Sequence, residues 1–542
     1  MTAAADTTTT TGFAAPVRGS RQLAGTGGLL RLALRRDRVM VPLWVLLVGG
    51  TTAGAAGSLG GMYGTPAERA DVVDSMAANS SLRSLYGPVF DDSLGAIVAW
   101  RYVAFMAAFA AVMSLLIVVR HTREEEETGR QEMLSAAMVG RRAPLTAALL
   151  TALIANAGVA LIVAVGLSGE GRAGALALGL GIGGVGMLFA TTAAIAAQLT
   201  ETARLAKGLT AAVLGLAWAL KAAGDAAADD GSNILTWLSP IGWAENLRSF
   251  ADERWWVLLL FAAATTVQAL IAYTLAGRRD IGMSFLPARP GPATGALGTA
   301  EGLAWRLQRG SLFGWAGGFL VAGVMFGAMT DGAADLIGDN QQAKDMIARL
   351  GGQSGVTDAF LAGMIAMFGM VAAVYIVQSV LRLDGEETAQ RAEPVLANAV
   401  GRLRWAAGHL AVAFGGAALL MVVAGLGLAA GYRQDVAAVL GGSLVQVPAV
   451  WAVGAVAALA YGAYPHAAVL GWAYAGLCLG LGWIGAAFDL PQWALKISPF
   501  AHLPKMPGNA MDWPAVGVLV GLTVLLIGGG LAALRRRDLQ TG

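Results

Sequence analysis

Glu126-Glu127-Thr128-Gly129-Arg130-Gln131-Glu132, then Val139-Gly140-Arg141, returns in the second half of the chain as Glu386-Glu387-Thr388-Ala389-Gln390-Arg391-Ala392-Glu393, then Val400-Gly401-Arg402. One inserted residue separates the two versions in this alignment, and the step from Arg130 to Val139 equals that from Arg391 to Val400. Two further matches keep the same order. Leu238-Ser239-Pro240 is answered by Ile497-Ser498-Pro499, and Arg278-Arg279-Asp280 by Arg536-Arg537-Asp538. Three matches in order make an internal duplication, which sets the architecture before any element is assigned.

The sequence between these motifs sets the fold class. Of 542 residues, 56% are hydrophobic and 13% charged, against about one quarter charged in soluble globular chains. A large soluble core still needs a wetted polar surface, which this composition does not supply. The apolar residues come in runs near twenty long, the length that crosses a hydrocarbon core of about 30 Å. The 74 glycines fall largely inside those runs, as membrane helices tolerate. The runs lie near 39–60, 96–119, 145–168, 174–199, 207–224 and 255–276, then near 312–330, 358–380, 407–430, 436–461, 466–487 and 513–534. The expectation is an all-α polytopic membrane protein of about twelve transmembrane helices. They form two six-helix halves with shared orientation, a pseudo-dimer whose repeat axis runs along the membrane normal. The halves span 28–282 and 303–542, joined by a cytoplasmic linker at 283–302 that carries Pro287, Pro290 and Pro292.

Residues 1–27, rich in Thr, Ala and Gly, read as a disordered cytoplasmic tail. They lack the apolar core of a signal peptide, so the run starting near Val39 is expected to remain as a span. With both termini in the cytoplasm, most of the 37 lysines and arginines fall in cytoplasmic segments, as the positive-inside rule requires. Arg101 and Lys221 sit near span ends, where long side chains snorkel to the interface. The one cysteine, Cys478, lies in an apolar run, which excludes a disulfide framework within the chain.

The polar stretches carry the mechanism. Arg123 to Arg142 and Asp384 to Arg404 are too polar to span and too long for tight turns. Glu124–Glu127 suit the front of a short helix, where the helix dipole favours negative charge. Met133, Leu134, Ala136 and Ala137 give that helix an apolar side, Gly140 ends it, and Pro144 opens the next span. A short amphipathic helix tethered between two spans suits docking on a cytoplasmic partner. Leu29 to Arg38 alternates Leu with Arg and suits either an interfacial helix or a positive-inside flank with no other role. Thr65-Pro66-Ala67-Glu68 is a capping box. Asp331, Asp335 and Asp339 share a helical face, more simply a solvated face than a cation site. The segments 225–254 and 488–512, interrupted by Ser-Pro, suit an outer cap or short re-entrant helices. Trp237, Trp243, Trp255, Trp256, Trp493 and Trp513 suit the interfacial aromatic belt.

Enzyme signatures are missing. No Gly-x-x-x-x-Gly-Lys-Ser/Thr loop occurs, so no P-loop cradles a nucleotide. No polar segment is long enough to hold an ATPase domain. His121, His409, His466 and His502 show no metal-ligand spacing.

The stretch Arg123-Glu124-Glu125-Glu126-Glu127-Thr128-Gly129 … Leu134 … Val139-Gly140-Arg141 resembles the coupling-helix region of ABC-2 type exporter permeases, which carry an Arg-Glu-x-Glu-x-Gly-Thr … Leu-Leu … Pro-Val-Ser-Arg pattern there. The Ser-Pro before the last span of each half and the Arg-Arg-Asp after it are similar to the same family. Length, twelve spans and fused halves resemble the large actinobacterial permeases described as exporters of polyketide antibiotics and other drugs. The resemblance covers nearly the whole chain. It implies a bacterial plasma-membrane exporter of hydrophobic, drug-like or lipid-like substrates, powered by two separate ATP-binding cassette subunits docked on each chain. ATP and magnesium would be bound by those partners, with no cofactor or metal on this chain and no nucleic acid among its partners. It places Glu124, Glu126, Glu127, Arg130, Glu132 and Arg141 at one docking surface, and Glu386, Glu387, Arg391, Glu393 and Arg402 at the other. The second half departs from the pattern, with Ala389 matching Gly129 and Pro394 interrupting the helix, so the two docking sites are expected to differ. The Gly-rich run Gly179–Gly186 reads more simply as close helix packing than as a substrate path. A proton-coupled carrier with two six-helix halves is the alternative reading, and Thr128-Gly129-Arg130 faintly echoes its Gly-Arg loop. Such carriers place charges at mid-membrane, and the spans here look nearly uncharged.

Overall fold

A computed structural model describes residues 22–78, 80–136, 139–280, 282–286, 298–330, 356–464, 467–484 and 491–539. Helix accounts for 80% of it, with no strand among the described residues. The chain divides into two compact units, Met1–Pro290 and Gly291–Gly542.

In the first unit a helix at Thr26–Arg36 precedes six spans: Met40–Gly61, Leu94–Arg120, Ala143–Gly166, Arg172–Leu199, Ala203–Ala227 and Val257–Arg278. In the second unit the spans are Ala300–Ala328, Val356–Val380, Arg402–Tyr432, Val436–Ala463, Ala468–Ile484 and Trp513–Arg536. Eleven helices among the described residues are long and apolar enough to cross a membrane. The remaining one, Ala468–Ile484, has 17 residues and reaches roughly 25 Å at 1.5 Å per residue. The outward faces of spans six and twelve leave Leu259 70% and Leu525 73% exposed, apolar surface that only lipid solvates at low cost.

Glycine lets the spans close on one another. A Cβ on Gly179 would stand 2.6 Å from the Ala160 carbonyl oxygen, and one on Gly186 would stand 1.9 Å from Asn156 Oδ1. The Gly179–Gly186 run is therefore a packing face against span three. In the second unit Gly327 and Gly431 do the same between spans seven and nine, where added Cβ atoms would lie 2.1 Å from the Leu428 oxygen and 2.2 Å from the Val324 oxygen.

The polar segments follow their local signals. Thr65 and Glu68 form the reciprocal capping box, Thr65 N donating to Glu68 Oε2 at 3.0 Å and Glu68 N to Thr65 Oγ1 at 3.3 Å. Ser239 caps the helix Pro240–Asn246 by accepting from Ile241 N at 3.2 Å, next to the short helix Ile234–Leu238. Trp255, Trp256, Trp493 and Trp513 are exposed, as a belt requires, whereas Trp237 and Trp243 are partly buried, with Trp237 stacked on Trp256 at 5.5 Å. Asp331, Asp335, Asp339, the linker prolines Pro287, Pro290 and Pro292, and the Leu134, Ala136 and Ala137 side chains lie outside the described residues.

Lys221 does not snorkel. It is fully buried, 3.3 Å from Asp225 Oδ2 and 3.1 Å from Glu245 Oε1, and donates to the Leu85 carbonyl at 3.0 Å. Two acidic side chains inside the fold hold the ammonium where sequence position alone would send it to the interface. Arg101 is exposed, as expected, with its guanidinium over Tyr86 at 4.7 Å.

Candidate functional site

The four-glutamate run continues span two as a separate turn, Arg123–Glu127, and does not open the loop helix. Gly129 adopts φ +69, a left-handed conformation that costs a residue with Cβ about 1–2 kcal/mol. The break lets the loop helix start afresh at Arg130 and run to Ala136. In the second unit Arg382–Thr388 and Ala392–Leu396 take these places, and Gln390, at φ +57, supplies the break. Pro394 does not interrupt the second helix: it sits in the first turn, where its missing N–H had no partner to lose.

Ion pairs organise both loops. Arg279, just past span six, grips Glu126 with a two-pronged fork of 2.7 and 2.5 Å, and both side chains are only 6% exposed. Arg141 closes the same corner by donating to the Arg279 carbonyl at 2.6 Å. In the second unit Arg537, just past span twelve, grips Glu387 with two bonds of 2.7 Å, and Arg402 donates to the Arg537 carbonyl at 2.9 Å. Glu125 meets Arg130 at 3.7 Å, and Glu386 meets Arg391 at 2.9 Å. These pairs equate Glu126 with Glu387, Glu125 with Glu386, and Gly129 with Gln390. The duplicated loops thus correspond without the inserted residue that sequence alignment suggested; adjacent glutamates in both copies made the shifted register look as good.

Each unit adds its own supports. Arg123, 1% exposed, donates to Glu126 at 2.6 Å and to the carbonyls of Glu201 and Met283 at 2.8 and 3.1 Å. Glu127 accepts from Ala203 N at 2.9 Å, at the start of span five, and Glu124 pairs with Lys207. In the second unit the Tyr461 hydroxyl donates to Glu387 at 2.6 Å. A cleft lined by Glu126, Gln131, Val139, Arg141, Leu145 and Arg279 opens beside the first brace.

The residues singled out in the sequence therefore separate into two groups. Glu126 and Glu387 point inward and hold the loops to neighbouring span ends, and Glu386, also inward, ties its own loop together through Arg382 and Arg391. Glu127, Arg130, Glu132, Arg141, Arg391, Glu393 and Arg402 are exposed, and Glu124 is half-buried. Arg279, Arg537, Arg123 and Tyr461 carry the brace without having been singled out as site residues. The repeated Arg-Arg-Asp was the available signal for the first two.

Apolar spans of bilayer length with lipid-facing outer surfaces, carrying a duplicated and internally braced polar loop, define a multi-pass membrane protein. A family model described as "Multidrug efflux system permease Rv1217c, C-terminal domain" matches residues 297–535. The multidrug efflux system permease protein Rv1217c of Mycobacterium tuberculosis (strain ATCC 25618 / H37Rv) is 41% identical over 543 residues, 98% of each chain. The chain belongs to the family of that permease, and the resemblance to ABC-2 type exporter permeases stands.

Proposed function

We propose that this chain is the membrane permease of an ATP-binding cassette exporter that moves hydrophobic, drug-like substrates out of the cell. The duplicated brace carries the reading: each unit ties one exposed loop helix to the end of its last span through a buried Glu–Arg fork. A loop fixed in this way passes force from a docked partner to a span, where a free loop would absorb it. Two separate ATPase subunits dock on each chain, one per loop, and supply the ATP and magnesium sites that this chain's sequence lacks. Both termini and both loops face the cytoplasm. The Mycobacterium tuberculosis relative is a multidrug efflux permease, which supports the same substrate class. The exposed Glu132 and Glu393, equivalent by the structural register, sit on the docking faces; the inward glutamates keep the loops in shape.

The test is ATP hydrolysis by the chain copurified with the ATPase encoded beside it. Glu132→Lys/Glu393→Lys is expected to weaken the complex and its activity while leaving the permease folded. If no ATPase copurifies and vesicle transport follows a proton gradient without ATP, the chain is a secondary carrier, a reading to which the buried Lys221, Asp225 and Glu245 lend some weight.

A further inference from the structure

The helix Thr26–Arg36 ahead of the first span has two unlike sides. Arg31 and Arg35 lie one turn apart on the helix, Arg38 follows just past its end, and all three are exposed. Among the described residues none of the three has a hydrogen-bond or ion-pair partner. Beside them an apolar track runs on into the first span: Leu32 is 53% exposed, Val39 71%, Leu43 63% and Leu46 60%. Unpaired guanidinium groups bordering lipid-facing leucines suit a phosphate headgroup with its acyl chain alongside.

The other side of the helix is fastened to the first loop. Arg36 pairs with Glu125. Asp37, fully buried, meets Arg120 at 3.0 Å and His121 at 2.5 Å. Main-chain bonds join Gly140 N to the Ala24 oxygen at 2.9 Å and Arg142 N to the Gln22 oxygen at 3.0 Å. A shallow groove lined by Leu29, Leu32, Ala33, Pro144 and Ala147 runs along the junction. Because Glu125 adjoins Glu126 in the brace, a displacement of the helix reaches the loop through two side chains. In the second unit Arg404, in the first turn of span nine, donates to Glu301 at 2.7 Å at the start of span seven.

We propose that Arg31, Arg35 and Arg38 form a binding surface for anionic phospholipid headgroups, and that lipid bound there steadies the first loop through Arg36 and Glu125. The effect on transport rests on the permease reading above; the lipid binding does not. Attraction to an anionic surface is worth about fivefold per basic residue and is screened by salt.

The test uses the full chain reconstituted in phosphatidylcholine bilayers with and without phosphatidylglycerol. Association of a fluorescent phosphatidylglycerol and hydrogen exchange across 120–136 are both measured. Wild type is expected to bind phosphatidylglycerol over phosphatidylcholine by at least tenfold at low salt and to exchange more slowly when it is present. Arg31→Gln/Arg35→Gln/Arg38→Gln is expected to lose both effects. Arg36→Gln is expected to keep the lipid preference and lose the slowed exchange. Equal lipid preference in the triple variant overturns the site, and unchanged exchange in wild type overturns the coupling. Displacement of the lipid by inorganic phosphate at equal concentration would make this a phosphate pocket and overturn the lipid assignment. ATPase copurification is scored separately, so loss of the permease reading leaves the lipid result intact.

Discussion

Glu126 and Glu387 show what one buried charge does in this fold. Each carboxylate sits in a two-pronged Arg fork with almost no exposure, so removing its charge leaves the guanidinium desolvated and unpaired. Such a loss costs about 3–5 kcal/mol where a buried pair is broken on one side. Glu126→Gln and Glu387→Gln are each expected to lower the melting temperature of the detergent-solubilised chain, while Glu132→Gln, on an exposed site, leaves it nearly unchanged. Equal effects from all three would mean that the forks contribute nothing. Glu245 acts differently. Burial raises its carboxyl well above the ordinary 4.5, with Asp225 adding to the effect and Lys221 at 3.1 Å opposing it. Arg83 donates to the neighbouring Asp225 main-chain carbonyl at 3.3 Å. The folded protein therefore keeps a proton that the unfolded chain gives up above pH 4.5. The stability this contributes is complete below that pH and declines as pH rises toward the folded-state value, with a slope of at most about 1.4 kcal/mol per pH unit. Melting curves across this range are expected to show the decline in wild type and a flatter profile in Glu245→Gln. Parallel profiles would show that Glu245 is ionised in the folded protein.

At the scale of elements, glycines set how closely the spans approach, and the nature of the obstacle separates two kinds of site. A Cβ on Gly186 meets the Asn156 side chain, whereas one on Gly179 meets the backbone of Ala160. Overpacking of a close helix contact costs about 1–3 kcal/mol. Gly186→Ala is expected to be largely rescued by Asn156→Ala, less the lost bond from Asn156 to Ser114 at 2.8 Å. Gly179→Ala is expected to gain nothing from Asn156→Ala, and thermal unfolding of the single and double variants distinguishes the cases. Rescue at both positions would mean that the span pair shifts as a unit. The elements were also the most legible part of the sequence. Spans were readable because lipid demands about twenty consecutive apolar residues, and Thr65, Ser239 and Pro240 marked helix starts through local hydrogen bonding. The brace was not readable, because Glu126 and Arg279 are far apart in sequence and a charged residue near a span end reads equally well as a solvated flank. For Lys221 the same holds of Glu245, which lies in a different helix, whereas Asp225, four residues on in the same helix, was a legible partner. The loop break at Gly129 escaped notice because a run of four glutamates has the same helix propensity on either side of a turn.

At the scale of the whole molecule, duplication gives one chain two braced loops that differ in detail. The first loop is stapled to the amphipathic helix and breaks at a glycine; the second breaks at Gln390 and leans on Tyr461 through Glu387. On the proposed reading, two loops on one chain would bind a paired ATPase with the second contact made intramolecular, so retention would depend on both being intact. Bivalent attachment exceeds either single contact by about 100-fold or more. Glu132→Lys alone and Glu393→Lys alone are each expected to reduce the apparent affinity for the ATPase pair by roughly that factor, and the double variant to abolish binding. Titration of the ATPase onto immobilised permease, repeated at rising salt, measures all three. Because the loops differ in how they are held, the two single variants are expected to leave unequal residual affinities. If one reversal alone removes all binding and the other has no effect, a single loop docks the partner, and the second is a structural copy whose brace holds span twelve.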